Sequence, residues 1–175
     1  SAALRDKLQS QQRSEAQDAA TISSLVQEAI AQTRALARGL CPVQLETSGL
    51  ETVLEDLTVQ VQRLHGMECQ LDTKGSLDVE TSVALHLYRI AQEAINNAVK
   101  HAAARRISVT ADFSQPHKVL VIADDGCGFD PNVEHGPSSG MSLMPYRAAM
   151  IGGSLTVTSG SGIGTRVGCR LPYPL

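Results

Sequence analysis

Aromatic residues are scarce in this 175-residue chain, and tryptophan is absent. Aromatic side chains make up 3% of the sequence, so the platforms on which single-stranded nucleic acids stack their bases are missing. A basic excess is missing too, because the formal net charge is -3. Proteins that bind a phosphate backbone concentrate Lys and Arg on one surface. The composition therefore argues against nucleic acid as a direct partner.

Metal-binding and membrane-spanning patterns are also missing. The four cysteines, Cys41, Cys69, Cys127 and Cys169, show no CxxC spacing, so neither a zinc site nor a secreted disulfide framework is indicated. We expect reduced thiols in a cytoplasmic protein. No apolar run approaches the length of a transmembrane helix, and no charged-then-apolar leader follows Ser1. An anchor elsewhere in a longer parent protein is compatible with this pattern.

Two common phosphate-binding loops are absent as well. The chain has no GxxxxGK[ST] sequence, and no GxGxxG leads from a predicted strand into a helix. Nucleotide binding by a P-loop or by a Rossmann-type turn is thereby excluded. Hydrophobic residues make up 42% of the sequence, which is enough for one sizeable core of Leu, Val, Ile and Ala with an appended element.

Proline and glycine do not occur before Gly39. Apolar residues in the second half of this stretch recur at intervals of three and four, which predicts one long helix over about residues 4–40 with a single apolar stripe. Pro42 ends the helix, because the residue before a proline is pushed out of helical geometry. Such a helix cannot pack wholly on a small globule, so we expect its stripe to meet a partner helix, most simply from a second copy. A frayed linker up to about residue 20 is the alternative.

The rest of the chain alternates between helical and strand patterns. Helical periodicity predicts helices at about 48–66, 78–103 and 141–151, with Ser48 capping the first and Asp78 or Thr81 the second. Alternating or continuously apolar runs predict strands at 67–72, 107–113, 119–123, 154–158 and 165–171. The connections are too short for many parallel crossovers. We therefore expect an α+β two-layer sandwich, with helices on one face of a mixed, mostly antiparallel sheet, behind the long helix.

The central predicted helix places its polar residues on one side. At about 100° per residue, Glu93, Asn97 and Lys100 lie within about 60° of one another, and apolar residues lie roughly opposite. This helix can therefore face both a core and a site. The alternative is an ordinary amphipathic helix with a solvated polar face, in which Lys100 and His101 stabilise the C-terminal end of the helix dipole.

Three glycine-bearing stretches follow the central helix. They are Asp124-Asp125-Gly126-Cys127-Gly128-Phe129, the run ending in Gly140-Met141, and Gly162-Ile163-Gly164-Thr165. An acidic residue that ends an apolar strand and precedes Gly-x-Gly places a carboxylate at the mouth of a pocket whose backbone can be approached closely. The region from 124 to 140 is rich in Gly and Pro and has little periodicity, which is typical of a functional lid.

Together these motifs resemble the four boxes of the ATP-binding fold shared by sensor histidine kinases, gyrase B, heat-shock chaperone and mismatch-repair ATPases. The boxes are matched, in order, by Glu93-xxx-Asn97-xx-Lys100, Asp124-x-Gly126-x-Gly128, Gly140, and Gly162-x-Gly164-Thr165. The sequence of residues 88–102 is similar to that of the kinase subfamily whose partners are usually DNA-binding response regulators. Residues 35–40 are similar to the second helix of that subfamily's dimerisation module. The resemblance implies a partial dimerisation stem at 1–42, an ATP-binding catalytic domain at 43–175, and a parent that forms a homodimer.

The resemblance also implies a role for the polar residues of the boxes. Asp124, as a buried ionised carboxylate, would accept a hydrogen bond from the N6 amine of adenine, directly and through a water at N1, and would repel the carbonyl oxygen of guanine. Asn97 would offer a neutral amide oxygen to Mg²⁺. Glu93 would act on the attacking nucleophile, either as a base or only as an orienting group. Lys100 would reach the phosphates as a point charge, and His101 would contact the ligand.

The glycines of the boxes receive backbone roles from the same resemblance. Gly126 and Gly128 would let the main chain pass the base and the sugar closely. Gly140 and Met141, at the end of the lid, would present backbone amides and a helix N-terminus to the terminal phosphates. A turn at 162–164 would bring Thr165 near the lid, and a plain hairpin turn is the alternative there.

A phosphoacceptor histidine is missing from its expected place. A histidine kinase phosphorylates a His on its first dimerisation helix, but residues 1–64 contain none. We therefore interpret the chain as the ATP-binding catalytic region of a bacterial two-component sensor histidine kinase that acts on a histidine outside it. An anti-sigma-type protein-serine kinase on the same fold and a degenerate dimerisation module without nucleotide binding are the alternatives.

Overall fold

A computed structural model describes residues 43–114, 116, 118–130 and 140–172. The predicted helical stem at 1–42 and positions 131–139 of the predicted lid lie outside them. Three helices are described: α1 (Val43–His65), α2 (Thr81–His101) and α3 (Gly140–Met150). The strands are β1 (Glu68–Lys74), β2 (Arg106–Asp112), β3 (Val119–Asp124), β4 (Ser154–Gly160) and β5 (Gly164–Arg170). No helix within this part of the chain is long and apolar enough to cross a bilayer.

The strands form one sheet in the order β1-β2-β3-β5-β4. β1 pairs with β2 in parallel, because the connection between them contains α2 and returns the chain to the same end of the sheet. The other three pairings are antiparallel. The prediction of an α+β fold with a mixed, mostly antiparallel sheet is confirmed.

One face of the sheet is buried. Alternate residues of β2 and β3 are buried, namely Ile107, Val109, Ala111, Leu120 and Ile122. The helix α2 packs on this face through its apolar side, which includes the fully buried Leu87 and Ile90. α1 contacts β1, and α3 contacts β4. Each large aliphatic side chain buried in this way stabilises the fold by about 1.5–3 kcal/mol.

Two details of the helix ends differ from the sequence prediction. The N-cap of α2 is Glu80, and it makes no side-chain capping hydrogen bond, so neither Asp78 nor Thr81 caps this helix. The backbone amide of Asp78 instead donates to Ser76 Oγ at 3.3 Å, which forms a local turn before the helix. In α1 the predicted start at Ser48 falls beside a break at Gly49, where φ is 79° and ψ is 176°. A short helical segment therefore precedes the predicted one.

Candidate functional site

The strand register places three polar side chains in one row at the end of the buried face. Two apolar cross-strand rows precede it, Leu120-Cys169-Leu155 and Ile122-Val167-Val157. The next row consists of Asp124 on β3, Thr165 on β5 and Ser159 on β4. Side chains two residues apart on a strand share a face, so this polar row continues the apolar ones. All three residues are half-buried.

Asp124 is held in place by hydrogen bonds to one of its two carboxylate oxygens. Its Oδ1 accepts from the Gly126 backbone amide at 2.9 Å and from the Thr165 backbone amide at 3.3 Å. Its Oδ2 makes no hydrogen bond with the part of the chain that the structure describes. We expected a buried carboxylate, but Asp124 is half-buried because it is the last residue of β3 and lies at the mouth of a cleft.

Two glycines of the predicted boxes allow the loop after β3 to pack against the β4–β5 hairpin. A Cβ atom added to Gly128 would collide with the carbonyl oxygen of Gly160. A Cβ atom added to Gly164 would collide with the carbonyl oxygen of Asp124. Both glycines have positive φ, 65° and 76°, which L side chains rarely adopt. These positions therefore require glycine for close backbone contact.

The remaining glycines of these boxes also act through backbone packing. Gly126 lies against Ala102, and a Cβ atom there would overlap that residue. Gly162 donates its backbone N–H to the Cys127 carbonyl at 2.7 Å. Neither Gly126, Gly162 nor Gly164 lines the cleft described below. Gly126 and Gly164 thus allow close backbone packing, Gly162 joins the hairpin turn to the loop after β3, and cofactor binding by these three glycines stays a prediction.

Asp125 joins the same loop to the start of β2. Its Oδ1 accepts from the backbone amides of Arg105 and Arg106, each at 2.8 Å. The Cys127 backbone amide donates to the Ala102 carbonyl at 2.7 Å, just beyond the end of α2. The loop that carries Asp124 is therefore attached both to α2 and to β2.

The carboxyl of Asp125 provides a pH test of this attachment. Its pKa is lowered, chiefly by the hydrogen bond from the Arg106 amide and then by that from Arg105. A lowered pKa stabilises the fold at pH values above the pKa of the unfolded chain, and this contribution is lost as the pH falls through the folded value. We expect acidification below about pH 4 to reduce the free energy of unfolding more in the wild type than in Asp125→Asn, whose amide oxygen still accepts but does not titrate.

Urea titrations at several pH values between about 3 and 7 measure this difference. Asp56→Asn makes the same substitution at an exposed position of α1 and serves as the control. Identical pH dependence in the wild type and Asp125→Asn would show that the Asp125 hydrogen bonds contribute nothing to stability.

A cleft of about 490 Å³ lies between α2, the loop after β3 and the start of α3. It is lined by eight of the predicted site residues, Glu93, Asn97, Lys100, His101, Asp124, Gly128, Met141 and Thr165. The rest of its wall is mainly apolar, with Ala94, Ala98, Ala102, Phe129 and Val167. Gly140 is the first residue of α3. Both the size of the cleft and its mixture of apolar wall and few polar groups are typical of small-molecule sites.

Asn97 and Met141 connect α2 to α3 across the cleft. Asn97 Nδ2 donates to Met141 Sδ at 3.5 Å. A thioether is a weak acceptor, and a leucine at this position would offer none. This bond uses one of the two N–H donors of the amide and turns its nitrogen toward Met141, while the side-chain oxygen of Asn97 makes no hydrogen bond within the described residues and can meet a ligand. A neutral oxygen of this kind suits a hard cation.

Ser159, on β4, was not among the predicted site residues. Its hydroxyl oxygen lies within hydrogen-bond distance of Phe129 N, Gly164 O and Thr165 Oγ1. A signal was present in the sequence, because Leu155, Val157 and Ser159 form an alternating series that ends in a polar residue.

Comparison with known proteins supports the ATP-binding family that the sequence motifs resemble. Residues 82–175 match the family described as histidine kinase-, DNA gyrase B- and HSP90-like ATPase. The sensor histidine kinase LiaS of Bacillus subtilis is 30% identical over 151 residues, which cover 86% of this chain and 42% of LiaS. The sensor protein VraS of Staphylococcus haemolyticus is also 30% identical over 151 residues, covering 86% of this chain and 43% of VraS. The chain thus spans less than half the length of these relatives.

Solved structures share the fold. The histidine kinase AdeS of Acinetobacter baumannii superposes with a TM-score of 0.64 at 11% identity, covering 88% of this chain and 84% of that chain. The ATP-binding domain of PrrB from Mycobacterium tuberculosis superposes with a TM-score of 0.56 at 22% identity, covering 71% of this chain and 93% of that chain. At these identities the likeness establishes the arrangement of helices and strands.

Proposed function

Because the chain belongs to the family of histidine kinase-, DNA gyrase B- and HSP90-like ATPases, we propose that it is the ATP-binding catalytic region of a bacterial two-component sensor histidine kinase. The observation that carries this proposal is the cleft, in which one helix presents Glu93, Asn97 and Lys100 while Asp124 and Thr165 lie on adjacent strands. The names of LiaS and VraS, both sensor proteins, support the choice of kinase within the family.

The row that contains Asp124 suits the base of ATP. An ionised carboxylate accepts hydrogen bonds only, and the N6 amine of adenine is a donor. The ring carbonyl of guanine is an acceptor and would face the carboxylate unfavourably. The apolar wall of the cleft, which includes Ala98 and Phe129, can cover the faces of the purine ring.

The residues of α2 suit the phosphates and their metal ion. Asn97 would hold Mg²⁺ through its side-chain oxygen. Within the described residues, no group of three His, Cys, Asp or Glu side chains could bind a metal ion, so phosphate oxygens and waters would complete the coordination. When bound, the ion neutralises phosphate charge. Lys100 would add a positive charge near the phosphates, and Glu93, one turn before Asn97, would orient the nucleophile or accept its proton.

In the parent protein, the γ-phosphoryl group of ATP would move to a histidine outside this chain and then to an aspartate of a response regulator. We propose a DNA-binding response regulator, which the similarity of residues 88–102 to one kinase subfamily supports. We also propose that residues 1–42 are part of a stem through which the parent forms a homodimer, and that the parent is anchored to the membrane, with this region in the cytoplasm.

Phosphoryl transfer by the wild type and by Glu93→Gln tests the proposal. Each protein is incubated with Mg²⁺, γ-labelled ATP and a separately produced dimerisation segment of the parent that carries its histidine. We expect the wild type to label the segment, and Glu93→Gln to bind ATP within about threefold of wild-type affinity but to transfer at least about 100 times more slowly, because positioned acid–base groups contribute on the order of 10²–10⁴ in rate.

The chemistry of the product separates the alternatives. Phosphohistidine is labile in acid and stable in base, so a base-stable label supports histidine transfer. An acid-stable label on serine would favour an anti-sigma-type protein-serine kinase. If the wild type bound no nucleotide, the chain would be a degenerate dimerisation module. Equal transfer rates in the wild type and Glu93→Gln would remove Glu93 from the catalytic role.

A further inference from the structure

We propose that Ser159 is a positioning residue for purine selection. Its hydroxyl fixes the Thr165 hydroxyl as a hydrogen-bond acceptor toward the cleft, and this favours a 6-aminopurine nucleotide over a 6-oxopurine nucleotide. The inference rests on the proposed binding of ATP in this cleft, and it assigns a function to a residue that does not line the cleft itself.

Three hydrogen-bonding groups surround the Ser159 hydroxyl. The Phe129 backbone amide donates to Ser159 Oγ at 2.9 Å. Ser159 Oγ donates to the Gly164 carbonyl at 3.1 Å. Ser159 Oγ and Thr165 Oγ1 lie 3.0 Å apart across the hairpin. These contacts follow from the register, because Ser159 and Thr165 are directly paired on adjacent strands.

The number of protons decides the direction of the third bond. A serine hydroxyl has one proton and two lone pairs. The Gly164 carbonyl can only accept, so the proton of Ser159 is used there. The Phe129 amide can only donate, so it uses one lone pair of Ser159. The bond between the two hydroxyls must then be donated by Thr165 and accepted by the second lone pair of Ser159.

This direction sets what Thr165 can offer to a ligand. Once the Thr165 hydroxyl has donated to Ser159, only its oxygen lone pairs remain for hydrogen bonding. Thr165 lines the cleft and is paired with Asp124 on the neighbouring strand. Two adjacent side chains of the row therefore act as acceptors. The amine of a 6-aminopurine has two N–H donors and can satisfy both, whereas a ring carbonyl at that position would meet acceptors alone.

Ser159→Ala tests this direction, with ATP and inosine triphosphate as the probes. The two nucleotides differ only in the amine or carbonyl at the sixth position of the ring and the proton on the adjacent nitrogen. In the variant the Thr165 hydroxyl can rotate and donate to a carbonyl. We expect the ratio of the dissociation constants, inosine triphosphate over ATP, to fall about tenfold, a factor that corresponds to one well-placed hydrogen bond. Isothermal titration calorimetry in the presence of Mg²⁺ measures both constants.

Three further variants separate an effect on the orientation of the Thr165 hydroxyl from a general effect on the stability of the fold. Ser159→Thr keeps a hydroxyl and should keep the wild-type ratio. Ser154→Ala makes the same chemical change at an exposed position of β4 and should leave the ratio unchanged. Thr165→Val removes the hydroxyl, and adding Ser159→Ala to it should not change the ratio further, because no Thr165 hydroxyl remains to be oriented.

The outcomes distinguish this inference from the proposed function. If Ser159→Ala weakens the binding of both nucleotides by the same factor, Ser159 only supports the loop through Phe129, and the inference is overturned. If Ser159→Ala does not fold, a change of ratio in Thr165→Val alone supports the acceptor role of Thr165, and an unchanged ratio contradicts it. If the wild type binds neither nucleotide, the proposed function fails.

Discussion

Asp124→Asn is expected to weaken ATP binding by about 100-fold or more, the equivalent of about 2.7 kcal/mol. In the wild type, Oδ1 of Asp124 accepts from the backbone amides of Gly126 and Thr165. An asparagine that keeps these bonds must turn its NH₂ group to the position of Oδ2. A donor then faces the donor amine of adenine. If the asparagine flips instead, it loses the two bonds that hold the loop. GTP, which presents an acceptor at the same position of the ring, should lose much less affinity or gain some.

Fluorescence anisotropy with a labelled ATP analogue, competed by ATP and by GTP, measures these affinities. Asp125→Asn is the matched control, because it is the same substitution on the adjacent residue. An asparagine oxygen at 125 can still accept from the amides of Arg105 and Arg106, so ATP affinity should stay within about threefold of the wild type. Unchanged ATP affinity in Asp124→Asn, or equal affinity of the wild type for ATP and GTP, would contradict the role of Asp124 in base recognition.

Gly164→Ala is expected to destabilise the domain by at least about 3 kcal/mol. Two causes act together. The positive φ of 76° at Gly164 costs an L residue about 1–2 kcal/mol. The added Cβ atom would also collide with the carbonyl oxygen of Asp124, so β5 must move away from β3. Since β3 and β5 carry Asp124 and Thr165, the same movement separates the two strands of the proposed nucleotide site, and ATP binding should be lost as well.

Gly162→Ala in the same hairpin separates these two causes. Its φ is 77°, almost the same, but a Cβ atom added there meets no atom within 4 Å. We expect it to cost only about 1–2 kcal/mol, the conformational part. Urea unfolding of the two variants and the wild type gives both free energies. Equal losses in the two variants would mean that the close approach of Gly164 to Asp124 is relieved at little cost.

Most of the fold could be predicted from the sequence, because local patterns determine it. Alternating or continuously apolar runs identified the five strands, and apolar spacing identified α2, whose polar side carries Glu93 and Asn97. It also identified Asp124 and Thr165, because each belongs to a motif of fixed spacing. These features depend on residues that are close in sequence, and a pattern can therefore reveal them.

What the sequence did not reveal depends on contacts between distant segments. Ser159 belongs to no motif, and its partner Phe129 lies 30 positions away. The packing role of Gly164 is visible only once β5 lies beside β3, since glycine in a hairpin has several explanations. The helix cap at Glu80 was missed for another reason, because a cap without a side-chain hydrogen bond leaves no sequence signature.

The position of β5 between β3 and β4 has a consequence for folding. The hydrogen bond between Thr165 N and Asp124 Oδ1 joins residues 41 positions apart, so the end of the cleft that carries these two residues cannot form within either β-hairpin alone. Closing so long a loop carries an entropic cost before any contact compensates for it, and the same holds for the parallel pairing of β1 with β2. A nucleotide that binds across β3 and β5 would stabilise the pairing of the C-terminal hairpin with the rest of the sheet, and would thereby raise the free energy of unfolding.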